Sequence, residues 1–460
     1  MARTKKRFHS GGDAASSSGK GGGGGWDQRF ENSTAPHEGS VPLEEIKSSA
    51  EYARRIENYN INPTKHKFAM CFGYIGSNYD GLQLNKDASS VEACLEKALF
   101  LAGAIQEFNY GNLHKIQWTR AARTDKGVHA ISQCCAMKIH APTAVAERPA
   151  FVEQVNGFLP ADIRVFGLTK VAKSFNSKNA VTKRRYQYLL PTFVLDDCAN
   201  TNAIFDAALK KQAEGPSQHH DPSSNHLSSN TLREVYGQLK GYRVSDQKLA
   251  LLRQALSAYV GTKRYHNFTP RMAADDNRAK RYIISFESGD AFVDPASGGQ
   301  WVLLSVTGQS FMLNQIRKMV GLAVNVARGA ASLASIDEAF DSKKVAVPTA
   351  PGIGLYLDQL YFDQYNKVQG FRADGDRKRK AHAGEVEGVG EAEEAREKLD
   401  WHDDAVFVAA MSTFRDSLIR PHVLAEEGKQ LSFVSYLSNI RSATFEEREE
   451  EGGGGEDDEH

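Results

Sequence analysis

The chain has few of the features that mark secreted, zinc-binding or membrane-spanning proteins. Its 460 residues include five cysteines, with no Cys-x-x-Cys pair among them. Neither cysteine nor histidine recurs at the spacing of a zinc site. Without a disulfide framework, the cysteines are typical of reduced thiols in an intracellular protein. No apolar run approaches the roughly 18 residues of a membrane helix. We therefore expect no metal, no membrane contact and a globular protein of about two domains.

Net charge is absent as well, since 57 basic residues balance 57 acidic ones. The balance hides an uneven distribution. Residues 64–366 hold 35 basic and 26 acidic residues, whereas residues 367–460 hold 13 and 23. A basic centre with an acidic end is typical of a nucleic-acid binder. Surplus lysine on an ordinary solvated surface would give the same count, so charge alone does not decide.

Composition divides the chain into six segments. The first is rich in serine and glycine with few apolar residues, which predicts disorder. The central part regains apolar periodicity, and a later segment is mostly charged. The predicted segments are a disordered tail at 1–63, an α+β domain at 64–188, a second at 189–366 with a polar, solvated loop inserted at 197–231, a charged linker at 367–398, a helical extension at 399–445 and an acidic disordered tail at 446–460.

Apolar periodicity in the central part predicts an α+β fold. Strands are predicted at 68–74, 131–139 and 163–171, and helices at 91–102 and within 144–158. Ser89 and Glu92 match a capping box at the start of the first of these helices. Residues 189–365 repeat the same mixture of strands and helices. The pattern is typical of units of the split βαβ kind.

One stretch, RAARTDKGVHA at residues 120–130, concentrates charge. It places a single acid, Asp125, among Arg120, Arg123 and Lys126. Nearby positive charge lowers the pKa of a carboxylate and keeps it ionised, and it also steers a polyanion towards the acid. Gly127 gives the loop backbone freedom that a residue with a Cβ lacks. The alternative is a surface turn with an ordinary salt bridge.

This stretch resembles the catalytic loop of the TruA-type pseudouridine synthases, and RAARTDKG is similar to their eukaryotic multisite branch. Other stretches of the chain resemble further motifs of that family, in the family's order. They are YIGSNYDGLQ at 74–83, before the loop, and KRRYQYLLP at 183–191, GTKRYHNFT at 261–269 and PTAPGIGLYL at 348–357 after it. Lys263 stands where the family pattern has histidine, which is a departure. Residues 399–445 resemble the helical extension of the eukaryotic branch.

The resemblance implies a fold and an activity. The fold would be two RRM-like, or ferredoxin-like, α+β domains whose sheets join around a central catalytic cleft. The activity would be isomerisation of uridine to pseudouridine in tRNA, by base flipping and rearrangement of the glycosidic bond. No redox change occurs, so no cofactor is expected. Small nuclear RNA and messenger RNA are further candidate substrates, and a monomer is expected.

The resemblance also assigns roles to individual residues. Asp125 would be the catalytic carboxylate, which either attacks the ribose carbon or removes a ribose proton. Five residues would contact substrate: Arg123 in place of the flipped nucleotide, Tyr186 against the target base, Leu355 in the uridine pocket, Arg317 as the ion partner of Asp125, and His266 towards the RNA. Simpler roles exist for several of these. Tyr186 and Leu355 would pack in the core, His266 would be structural, and Arg317 would extend to the surface.

Two other functions remain open at this point. A non-catalytic RNA-binding protein would explain the basic centre, but the chain shows no RNP-type aromatic motif. A hydrolase using Asp125 would need a second carboxylate or metal ligands nearby, and no such pair is evident. The basic cluster Arg377–Lys380 predicts nuclear import, while the basic residues 3–7 fit a nuclear signal or a weak mitochondrial presequence. Nuclear localisation is expected, with mitochondrial or cytoplasmic pools as alternatives.

Overall fold

A computed structural model of the chain describes residues 39–55, 64–214, 227–369 and 397–441. The described residues form a mixed α/β structure around one nine-stranded sheet in the order β4-β1-β3-β9-β5-β8-β7-β6, with β2 paired to β3. The strands are β1 (His66–Tyr74), β2 (Thr119–Arg120), β3 (His129–Ile139), β4 (Ile163–Lys170), β5 (Lys183–Pro191), β6 (Gly261–Arg264), β7 (Lys280–Val293), β8 (Gln300–Gly308) and β9 (Leu355–Tyr361).

Helices surround this sheet in the described parts of the chain. They are α1 (Leu43–Ser48), α2 (Val91–Leu101), α3 (Arg148–Asn156), α4 (Ser177–Ala180), α5 (Cys198–Glu214), α6 (Ser229–Leu239), α7 (Asp246–Ser257), α8 (Gln315–Ala327), α9 (Ala334–Glu338), α10 (residues 363–369), α11 (Ala405–Phe414), α12 (Arg420–Gln430) and α13 (Ser432–Ile440). A π-helical segment, Arg415–Ile419, joins α11 to α12. None of the described helices combines the length and apolar character needed to cross a membrane.

The start of α2 differs from the predicted capping box. Ser90, not Ser89, is the N-cap, and its side chain accepts a hydrogen bond from the Ala93 backbone N–H. Glu92 does not reach back to the cap as the box requires. Instead it is fully buried and faces the sheet. The capping prediction was therefore wrong, because the Glu92 carboxylate forms an ion pair with the buried Arg120 side chain instead.

The two halves of the sheet join at β3 and β9. These strands pair in parallel, with His129 opposite Tyr356 and Ala130 opposite Leu357. Both strands begin directly after a motif loop. Because the strands are parallel, these two loops, distant in sequence, meet at the same end of the central strands. Close packing there requires glycine. A Cβ on Gly354 would lie 2.4 Å from the Leu189 carbonyl oxygen, which no side chain could tolerate.

Two of the predicted boundaries do not match the observed elements. The border placed between residues 188 and 189 falls inside β5. The solvated loop predicted at 197–231 was wrong for residues 198–214, which form α5, and for residues 229–231, which begin α6. The buried residues of α5 are Thr201, Phe205 and Ala208, at the i, i+4, i+7 spacing of a helix. Polar neighbours concealed this stripe. Residues 215–226 of the same segment lie outside the described residues.

The C-terminal helices pack on both halves of the sheet. Trp401 is buried, and its Nε1–H donates a 2.9 Å hydrogen bond to Thr169 of β4. At the other half, the Phe433 ring of α13 lies edge-on to Tyr188 of β5, with ring centroids 6.2 Å apart. Glu397, just before the predicted start of the extension at residue 399, forms a 2.6 Å ion pair with Arg148 of α3. Glu397 therefore belongs with the packed extension, although the predicted linker was 367–398.

Candidate active site

The charged loop between β2 and β3 is held in place by main-chain contacts. Gly127 has φ +76, a left-handed conformation that favours glycine. The Gln133 side chain accepts from the Ala122 N–H and donates to its carbonyl oxygen, both at 3.3 Å. The Tyr74 hydroxyl is hydrogen-bonded to Thr124 at 2.6 Å. These bonds fix the loop before Asp125, and the Val128 N–H, which donates to the Asp125 carbonyl oxygen at 3.1 Å, fixes it after Asp125. The position of the carboxylate is therefore preorganised.

Asp125 opens into a cavity of about 530 Å³. Five of the six predicted site residues line this cavity: Arg123, Asp125, Tyr186, Arg317 and Leu355. They come from the loop, from β5, from α8 and from the first residue of β9. Among the described residues that line it, Asp125 is the only acidic one. Its volume and mixed polar and apolar lining suit a ligand site.

The pKa of Asp125 is raised, because burial disfavours its charged form more strongly than the nearby Arg317 charge favours it. The lowered pKa predicted from the neighbouring cations was therefore wrong. The reason lies in where those cations point. Arg120 is buried and pairs with Glu92 at 2.6 Å, and Lys126 pairs with Asp80 at 2.8 Å. Desolvation consequently dominates at Asp125.

Arg317 lies near Asp125 without forming an ion pair with it in the described part of the chain. Its Nε donates to the Ala350 carbonyl oxygen at 2.7 Å, and its terminal nitrogen donates to the Asn314 side chain at 3.3 Å. The expected Asp125–Arg317 pair is thus replaced by a longer-range attraction. Asn314, with φ 60, precedes α8 and turns the chain so that Arg317 faces the cavity.

Tyr186 and Leu355 form the apolar wall of the cavity. Both are buried, at 7% and 6% exposure. Burial raises the pKa of Tyr186 to about 12, so its hydroxyl stays protonated. The Phe311 ring meets Tyr186 edge-on, with centroids 5.4 Å apart. An aromatic ring and an aliphatic side chain at the mouth of a basic cavity could hold a planar base between them.

Two histidines lie away from Asp125. His266 does not line this cavity; it lines a second one, described below. His129 follows the loop but is fully buried. Its Nδ1 accepts from the Gly76 N–H at 3.0 Å, so its Nε2–H donates to the Ile353 carbonyl oxygen, also at 3.0 Å. Burial lowers the pKa of His129 to about 3. This neutral ring joins the two loops at the edge of the sheet.

Arg184, Lys178 and Phe311 also line the cavity, although no site role was predicted for them. Arg184 donates to the carbonyl oxygens of Ala121 and Gln309, at 2.8 and 2.6 Å. Strand alternation offered a signal, since Arg184 precedes Tyr186 by two positions and therefore shares its face. Nothing in the sequence pattern placed Phe311. In the described residues, no group of three or more His, Cys, Asp or Glu side chains could hold a metal ion.

A cavity with one desolvated carboxylate, an aromatic wall and several cations suits an enzyme that acts on a polyanionic substrate. Comparison with known proteins gives the family. A family model described as tRNA pseudouridine synthase matches residues 255–363. The chain is 32% identical to the human pseudouridylate synthase 1 homolog over 374 residues, covering 81% of this chain and 72% of the relative. The mouse protein of that name is 31% identical over 379 residues, with 82% and 74% coverage.

A fungal relative is similar over a shorter region. The tRNA pseudouridine synthase 1 of Candida glabrata is 32% identical over 346 residues, which cover 66% of this chain and 62% of the relative. The matched region therefore spans less than two thirds of that protein. The chain belongs to the tRNA pseudouridine synthase family, whose members are isomerases. This agrees with the resemblance that the sequence motifs carry.

Proposed function

We propose that this enzyme converts uridine to pseudouridine in tRNA, with Asp125 as its catalytic carboxylate. The observation that carries the proposal is that Asp125 is the one acid among the described residues that line a basic, partly apolar cavity. An acid without an ion partner in such a place costs stability, which is typical of functional groups rather than structural ones. Membership of an isomerase family makes a purely RNA-binding role the weaker explanation.

Desolvation would suit Asp125 to either of its two possible roles. A carboxylate with a raised pKa is a stronger base and a stronger nucleophile than one exposed to water. It could attack the ribose carbon or remove a ribose proton, and both roles require the ionised form. Arg317 would limit the rise in pKa, because its positive charge favours that form. Its fixed bonds to Ala350 and Asn314 hold the charge in place.

The apolar wall would receive the flipped uracil. Tyr186 would stack on the base, and Leu355 would line the opposite side of the pocket. Phe311, packed edge-on against Tyr186, would hold that ring in position. Stacking on an aromatic side chain contributes about 1–3 kcal/mol per base. This offsets part of the cost of removing a base from its stack.

Cations at the rim would bind the RNA backbone. Arg123 is exposed next to Asp125, so its planar guanidinium could enter the space left by the flipped nucleotide and contact phosphate. Lys178 and Arg184 also line the cavity. We propose tRNA as the main substrate, with small nuclear and messenger RNA as further candidates. The finer architecture that we propose is two RRM-like units, one on each side of the β3–β9 junction.

The test is a pseudouridine assay on transcribed tRNA with the purified full-length chain. The wild type should form pseudouridine, and Asp125→Asn should lower the rate by about 10²–10⁴-fold or more. Asp80→Asn is the matched control, since it removes an exposed acid that pairs with the same loop through Lys126. It should stay within a few-fold of the wild type. A folded Asp125→Asn variant with wild-type activity would remove Asp125 from the mechanism.

We also propose a nuclear location, carried by the basic cluster Arg377–Lys380. This cluster and the basic residues 3–7 lie outside the described residues, so the proposal rests on the sequence. Changing the four residues of the cluster to alanine should move a tagged protein out of the nucleus. An unchanged distribution would show that the cluster is not the nuclear signal, which leaves residues 3–7 as the signal or no signal at all.

A further inference from the structure

A second cavity, of about 780 Å³, lies next to α8 and is separate from the Asp125 site. We refer to it as the His266 cavity. Its walls come from residues 266–274, from Lys318 of α8 and from residues 342–346. Of the described residues that line it, Arg271, Lys318 and Lys344 are basic, and none is acidic. The cavity therefore has the charge of an anion site.

His266 gives this cavity an unexplained polar group. The residue is only 4% exposed. Neither of its ring nitrogens has a hydrogen-bond partner in the described residues. A histidine ring always carries at least one N–H donor, and an unsatisfied buried donor destabilises a fold. A ligand that accepts a hydrogen bond in the cavity would satisfy it.

The walls of the His266 cavity are fixed in advance by Asn267. Its side-chain nitrogen donates to the carbonyl oxygens of Ala339 and Lys343, at 3.1 and 2.9 Å. Its side-chain oxygen accepts from the Val345 N–H at 3.1 Å. These bonds hold the segment 342–346 against the turn that carries His266. A preorganised cavity loses little entropy when a ligand enters.

Lys318 links this cavity to the Asp125 site. It follows Arg317 on the first turn of α8, so the two side chains leave the helix on neighbouring faces. Arg317 lines the Asp125 cavity and Lys318 lines the His266 cavity. The Lys318 ammonium also donates to the Asn267 carbonyl oxygen at 3.3 Å. One RNA strand crossing this turn would meet both cavities.

We propose that the His266 cavity binds a backbone phosphate of the substrate RNA, at a nucleotide other than the reactive uridine. Lys318 and Arg271 supply the positive charge, and the His266 N–H donates to a phosphate oxygen. The proposal rests on the function proposed above and adds to it a contact with the RNA backbone outside the catalytic cavity. A positively charged pocket of this kind positions RNA without reading its bases.

The test measures RNA affinity against salt concentration for variants of the cavity. All binding is done with transcribed tRNA in the Asp125→Asn background, so that no turnover occurs. Lys318→Gln should weaken binding about tenfold at low salt and reduce the slope of log Kd against log salt by about 1. Arg271→Asn removes the second positive charge of the proposed site. Because Arg271 has φ 53, asparagine is chosen as a residue that tolerates this backbone conformation. Lys210→Gln, an exposed charge on α5, is the matched control and should change neither quantity.

His266→Leu separates a ligand-binding role from a structural one. Replacing an unsatisfied buried ring with an apolar side chain should leave the melting temperature unchanged or raise it. If His266 binds phosphate, the same variant should bind tRNA about tenfold more weakly. Weaker binding together with equal or higher stability supports the proposal. Unchanged affinity in both His266→Leu and Lys318→Gln overturns it.

The pseudouridine assay keeps this proposal distinct from the function on which it rests. If the wild type forms pseudouridine and the cavity variants bind tRNA normally, the His266 cavity is not an RNA site and the proposed function stands. If the wild type forms none but the cavity variants lose affinity and salt slope, the phosphate site stands and the catalytic proposal fails.

Discussion

Arg120 and Asp125 belong to the same loop and are both largely withdrawn from water, but their surroundings differ. Arg120 makes two bonds to the Glu92 carboxylate, at 2.6 and 2.8 Å. The same carboxylate accepts from the Trp118 ring at 2.7 Å and from the Leu84 N–H at 3.0 Å. Asp125, by contrast, has no ion partner among the described residues and opens into a cavity.

The difference separates a structural charge from a functional one. The Glu92 carboxylate accepts four hydrogen bonds, two of them from Arg120, so this ion pair holds β2 against α2. Asp125 carries a charge that the fold does not neutralise, and its pKa is raised as a result. Charge density along the sequence does not distinguish the two, because it shows neither burial nor direction. Two experiments test this contrast, and a third tests how the C-terminal extension contributes to stability.

The largest effect is expected from breaking the buried pair. Glu92→Gln removes the charge partner of a buried arginine and should reduce the free energy of unfolding by about 3–5 kcal/mol. Urea denaturation would measure the loss. Glu107→Gln is the control, since it breaks an exposed pair with Lys47 at 2.7 Å. Such pairs contribute about 0–1 kcal/mol. Equal losses for the two variants would refute the structural role of Glu92.

A somewhat smaller loss is expected where the C-terminal extension joins the sheet. Trp401→Ala removes a buried ring that contacts Phe362 edge-on, with centroids 5.9 Å apart, and breaks the bond to Thr169. We expect a loss of about 3 kcal/mol. The control is Phe108→Ala, because that ring is 68% exposed. Activity per folded molecule should survive in both variants. A melting temperature insensitive to Trp401→Ala would show that the extension does not stabilise the core.

Sequence reasoning located the candidate site better than it described its electrostatics. The resemblance of short motifs placed Tyr186, Leu355 and the loop at the site, because a motif is a local stretch of sequence. Strand alternation alone favoured a core position for Tyr186. The partner of Arg120 could not be predicted, since Glu92 also fits a capping box and lies 28 positions away. The bond from Arg317 to Ala350 depends on how α8 meets a loop 33 positions later. Long-range pairing of side chains is decided by packing, which no local pattern contains.

The same limit explains the position of His266. Its loop has a family-like sequence, which favoured a place beside the RNA, but did not indicate which cavity it would line. The turn at His266–Phe268 and the segment held by Asn267 direct the ring away from Asp125. The helix α5 was missed for a related reason. Its three buried residues are outnumbered by polar ones, so composition concealed the periodicity.

The smallest change in stability is expected for Asp125→Asn. Whether this variant is more or less stable than the wild type tells whether Asp125 is paired in the folded state. A paired Asp125 would make this change destabilising, because Arg317 would lose its partner. The observed arginine bonds instead to Ala350 and Asn314, and burial raises the pKa of Asp125. The native state thus binds the Asp125 proton more tightly than the unfolded state. The stability from this proton is complete below the unfolded pKa, about 4, and is lost as pH rises through the folded pKa.

Asp125→Asn should therefore melt at the same temperature as the wild type or slightly higher at pH 7. The difference should shrink as the pH falls, because the raised pKa lets the wild-type carboxyl become protonated in the folded state. Asp80→Asn should instead lower the melting temperature slightly at pH 7, because the hydrogen bond from the Lys126 ammonium lowers the pKa of Asp80. Its stabilising pair is present at neutral pH and weakens on acidification. Thermal melts of the three proteins between pH 4.5 and 8 would decide. An Asp125→Asn variant that melts well below the wild type at pH 7 would mean that Asp125 is structurally paired, and the contrast with Arg120 would no longer hold.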